Sequence, residues 1–92
     1  MKTKVIFRKF EDGDVIALFP DEIGDNKGNI SSYMHIGQHS AATPELIYSL
    51  SPASFSEYEP LMNELTSLGY DLEILWAGDI AKIRNEFLDL PF

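Results

Sequence analysis

His35 and His39 are the only histidines in the chain, separated by three residues in the order His-Ile-Gly-Gln-His. Imidazole is a common metal ligand, and on a helix an i,i+4 pair would aim both rings at one ion. Here the first lies in an alternating, strand-like stretch and the second lies beyond Gly37, so the helical geometry is absent. Zinc takes three or four ligands, and a carboxylate from residues 21–25 would have to complete the set. The sequence therefore predicts hydrogen-bonded turn histidines and no metal; if a metal is held, His35 and His39 are its candidate ligands. The segment DEIGDNKGN over 21–29 lacks the D-x-[DN]-x-[DN]-G spacing of a calcium loop and has no glutamate at its twelfth position. Ser40, His39 and Asp25 have the residue types of a nucleophilic triad, but no nucleophile-elbow sequence surrounds the serine. No catalytic residue and no cofactor is expected. A small metal-dependent enzyme centred on His35 and His39 is the alternative from the catalytic class.

Charge says more than chemistry. Fifteen acidic residues against seven basic ones give a net charge of −8. No Lys or Arg occurs between Lys27 and Lys82, while Glu45, Glu57, Glu59, Glu64, Asp71, Glu73 and Asp79 fall in that interval. Direct nucleic-acid binding needs cations to neutralise phosphates, so this composition argues against it. An acidic surface instead favours a host protein with a basic surface and speeds its capture. The plainer alternative is a regulatory or housekeeping protein whose acidity serves solubility only. The absence of cysteine excludes disulfides and thiolate chemistry. The start, MKTKVIFRKF, lacks the apolar core of a signal peptide, and the run from Val15 to Phe19 is too short for a membrane span, so a cytoplasmic setting is expected.

Residues 1–92 read as one α+β domain, with a core sheet and helix over 4–76 and a helical extension over 77–92. KVIFRKF (4–10) and VIALFP (15–20) read as strands joined by a tight Asp-Gly turn. The continuous apolar run of the second predicts burial on both faces, with Pro20 ending the strand. Residues 30–37 alternate as a third strand with a bend at Gly37-Gln38, and 43–51 reads as a fourth despite a helix-start signal at Thr43-Pro44. Tyr58, Leu61, Met62, Leu65 and Leu68 form one apolar stripe of a helix over 56–68. Ser54 and Ser56 each begin a capping box; Ser56 is favoured because it leaves Pro60 nearer the helix start, and Gly69 closes the helix. A strand over 70–76 follows, then a helix with Ile80, Ile83, Phe87 and Leu90 on one face. The order is ββββαβα around a mainly antiparallel sheet. Tyr70 and Trp76 should meet the first helix, while Asp71 and Glu73 face the other way. Glu57, Glu59, Glu64, Asp71 and Glu73 are the candidate partner-binding residues, read as one extended negative surface.

The blocks VIFRKFEDGDVIALFP, NKGN, SYMHIGQHSAA and ELTSLGYDLEI, taken in order, resemble a family of short uncharacterised proteins of phages, prophages and mobile elements of gut bacteria. The likeness covers residues 4–74 and implies a mobile-element setting and a small sheet with one packed helix. It implies no reaction. Members stop soon after the YDLEI strand, so 77–92 stands as an addition, with an apolar stripe that must pack on the sheet or form a homodimer through residues 79–90. Together these features lead to the expectation of a non-enzymatic protein that inhibits or modulates a host protein. Its concrete form would be an anti-CRISPR or anti-restriction inhibitor acting as a nucleic-acid mimic.

Overall fold

The computed structural model describes residues 2–35 and 38–75. Strands β1 (Thr3–Lys9) and β2 (Val15–Ile23) form an antiparallel hairpin, with Lys9 opposite Val15. Its turn is built as the Asp-Gly pair predicts. Gly13 sits at φ +95°, where side-chain-bearing residues are strained. The Asp12 carboxylate accepts from the Asp14 N–H at 3.0 Å. Residues 16–19 of β2 are all buried, as expected for a strand flanked by neighbours and covered on both faces.

Pro20 does not end β2. The strand continues to Ile23, and its register against β3 (Ile30–Met34) shifts between Phe19 and Ile23. Proline lacks a donor, and an irregularity in the ladder is where that lack does least harm. Beyond Ile23 the chain turns tightly. The Gly24 N–H donates to the Asn29 carbonyl at 2.8 Å, and any Cβ at Gly24 would drive into the Ile30 carbonyl.

The expected strand over 30–37 is shorter, and a strand the sequence reading did not anticipate follows it. β3 ends at Met34, His35 lies in a turn, and β4 (Gln38–Ala42) returns antiparallel with five paired positions. The expected strand over 43–51 is also corrected. Thr43-Pro44 starts a helical turn, α1 (Leu46–Ser49), followed by the two-residue strand β5 (Ser51–Pro52). The N–H groups of Leu46 and Ile47 donate to the carbonyls of Thr43 and Pro44, both at 3.1 Å. The buried Arg8 guanidinium then holds the Ile47 carbonyl at 2.8 Å and Phe7's own at 3.3 Å. That long-range bond fixes a turn where the residue types alone favour a strand.

Helix α2 (Phe55–Ser67) presents most of the predicted stripe, burying Tyr58, Leu61 and Leu65 with Met62 packed beside them; Leu68 caps the helix and is exposed, and Gly69 follows at φ +107°. β6 (Leu72–Ile74) runs parallel to β1, with Lys4 opposite Glu73. The sheet order is β4-β3-β2-β1-β5, with β6 on β1, so it is mainly antiparallel and the chain is α+β. α2 covers one face, packing on Val5, Phe7, Ala17, Phe19 and Tyr33. Phe7 stacks on Tyr58 with ring centroids 4.4 Å apart. On the other face Ile6, Ile16, Leu18, Ile30 and Ala42 gather with Ile47 and Leu75. Tyr70 stacks on Phe19 at 5.4 Å, in the predicted core role. Trp76, the 77–92 extension and the expected helix and homodimer contact over 79–90 lie outside the described residues.

Candidate interaction surface

The N-cap of α2 is Ser54, two residues before the expected Ser56. The Glu57 carboxylate accepts from the Ser54 N–H at 2.9 Å and from Lys9 Nζ at 2.7 Å. The contact to Lys9 comes from β1, 48 residues away, and it selects the earlier start even though Pro60 then falls deeper in the helix. Those donors, Lys9 first, hold the Glu57 carboxyl down at about 2. Further along α2, Glu64 Oε2 lies 3.2 Å from His35 Nδ1.

These two contacts define where α2 sits. Lys9 ends β1, and His35 follows Met34, which pairs with Ile16 at the start of β2. Both therefore stand at the end of the sheet carrying the β1–β2 turn. Glu57 and Glu64 are thereby drawn to the end that also bears Glu11, Asp12 and Asp14, all exposed, and exposed Glu59 rides on the same helix. Sequence reading missed the contribution of the turn acids. The hairpin register was the signal that could have found them, since it puts Glu11–Asp14 beside Lys9.

Asp71 and Glu73 do not join this group. Leu72 and Ile74 pack into the α2-side core, so strand alternation turns Glu73 to the opposite face, opposite Lys4. The Asp71 carbonyl accepts from the Thr3 N–H at 2.7 Å, placing that residue at the start of β1. The expected single surface of Glu57, Glu59, Glu64, Asp71 and Glu73 thus divides between two places. The second is mixed in sign: Lys4 pairs with Asp21 at 3.5 Å, and Lys2 and Lys27 belong to the same end as Glu22 and Asp25.

The histidines also go separate ways. His35 meets Glu64, whereas His39 on β4 sits edge-on to Tyr33 at 4.6 Å and borders a shallow hollow with Leu68, Gly69 and Tyr70. Among the described residues no three potential ligating side chains gather. Asp25 is occupied with its own loop. Its oxygens accept from the Lys27 N–H at 2.8 Å, the Asn29 N–H at 3.3 Å and Asn29 Nδ2 at 2.9 Å, which lower its pKa. Asp25 is spent on shaping that turn, while His39 and Ser40 lie on β4.

A second feature stands against the charged end. From Gly28 to Pro44 no Asp, Glu, Lys or Arg occurs, and this stretch contains all of β3 and β4. No known protein family, curated protein or solved structure matches the chain. Among the described residues no helix is long and apolar enough to cross a membrane.

Proposed function

We propose that this chain is a non-enzymatic interaction protein that docks its acidic end, α2 with the β1–β2 turn, onto the basic surface of a host protein. The observation that carries the reading is the gathering of Glu11, Asp12, Asp14, Glu57 and Glu64 at one end, where Lys9 and His35 are the basic side chains in contact with Glu57 and Glu64, while exposed Glu59 lies on the other flank of α2. Carboxylates fixed on a packed helix and a hydrogen-bonded turn present negative charge without a large ordering cost on binding. Such a field steers basic partners and competes for a groove that otherwise holds phosphates. The resemblance to mobile-element proteins supplies the setting, and an anti-CRISPR or anti-restriction inhibitor that mimics nucleic acid is its concrete form.

The test is affinity retention from bacterial lysate with the chain immobilised, followed by elution with duplex DNA. A mimic predicts that a nucleic-acid-handling protein is retained, that salt weakens its retention, and that DNA displaces it. Retention that resists both salt and DNA would remove the mimicry reading.

A further inference from the structure

We propose that a second copy of this chain adds to the outer edge of β4, antiparallel and about a two-fold axis, so that two sheets join into one. β4 is the last strand on its side of the sheet among the described residues. In an antiparallel pair every second residue turns its N–H and C=O away from its neighbour, so β4 presents a row of backbone donors and acceptors outward. His39, Ser40 and Ala41 are exposed.

Sheet edges in monomeric proteins carry devices that prevent such pairing: charged side chains, proline or a bulge. The opposite side of this sheet has them. β5 contains Pro52, and β6 contains Glu73 and is preceded by Asp71. β4 has none. Its residues are Gln-His-Ser-Ala-Ala, and its pairing with β3 runs through five consecutive positions without a shift. Ser32 Oγ also donates to the Ser40 carbonyl at 3.0 Å, which ties the strand flat against its neighbour.

The choice of occupant follows from charge. Two molecules of net charge −8 repel, and a self-contact is tolerated only where the local field is weakest. β4 lies in the stretch from Gly28 to Pro44, which holds no Asp, Glu, Lys or Arg of its own, and Glu64, which reaches that stretch from α2, lies against His35 in the turn before the strand. A basic partner would gain nothing from this edge over the acidic end, whereas a second copy meets a neutral, identical strand. An axis perpendicular to the sheet keeps each face on its own side, so at the centre of the seam one residue stands opposite its own copy. Centred on the five-residue strand, the axis passes between the two Ser40 residues, setting Ser40 opposite Ser40 and His39 opposite Ala41 of the other copy. This inference does not rest on the acidic end or on the function proposed for it.

Sedimentation equilibrium on the full chain tests it. The mass should rise with concentration from 10.4 kDa towards twice that value. Ser40→Lys and Ser40→Glu each set like charges opposite one another and should weaken association about fivefold, with circular dichroism unchanged. An equimolar mixture of the two variants should restore pairing, because opposite charges then face each other. A chain that stays monomeric throughout, or a dimer indifferent to both variants, would overturn the proposal. So would variants that dissociate but fail to re-pair on mixing.

Discussion

The end of the sheet under α2 and the β3–β4 edge are built from opposite materials. The first gathers five carboxylates and is organised by side-chain contacts from distant strands, with Lys9 on Glu57 and His35 near Glu64. The second is free of formal charge from Gly28 to Pro44 and is organised by backbone pairing, with one serine hydroxyl reinforcing it. A surface of fixed charge reads a partner's field at long range, while a neutral strand edge reads only a backbone at contact distance. A small acidic protein can carry both kinds of contact if they face different ways. Here the acidic end looks along the strands past the turns and the β4 edge looks sideways across them, the two meeting where Glu64 lies against His35.

The contrast depends first on α2 staying docked. Leu65 is fully buried between α2 and the sheet, so Leu65→Ala should lower unfolding free energy by about 2–5 kcal/mol in urea titration. A loss below about 1 kcal/mol would mean that the helix is not held by this face. Leu68, which caps the same helix, is 57% exposed and serves as the comparison site.

A smaller effect probes the charged end alone. The Glu57 carboxyl is held at about 2, below the 4.5 of a free glutamate. A group whose folded value is depressed adds stability that is full above the unfolded value and is lost as pH falls towards the folded one. Between pH 4.5 and 2 the stability of the native chain should therefore fall more steeply than that of Glu57→Gln, followed by acid-dependent melting. Parallel curves would contradict the role given to Lys9 and Ser54.

The same division marks what the sequence could reveal. The β1–β2 hairpin, the apolar stripe of α2, the glycine after it and the core role of Tyr70 were legible because each rests on local pattern. The β3–β4 turn was not, since residues 30–37 alternate well enough to read as one strand. α1 was hidden by strand-forming residue types at Leu46–Tyr48, and its turn is held by Arg8 from β1. Glu57, Glu59 and Glu64 were correctly placed on α2 and Glu73 on β6, while Asp71 precedes the strand. Their separation became visible only with the parallel β1–β6 pairing, which puts Glu73 opposite Lys4.

The central claim is that binding belongs to the α2 end and not to negative charge in general. Two variants with the same change in net charge decide it. One neutralises Glu11, Asp14 and Glu64 to Gln or Asn, and the other neutralises Glu22, Asp71 and Glu73 in the same way. Salt-sensitive retention of the basic partner should be lost in the first and kept in the second. Equal loss in both would reduce the effect to net charge, and loss confined to the second would place the binding surface at the wrong end of the sheet.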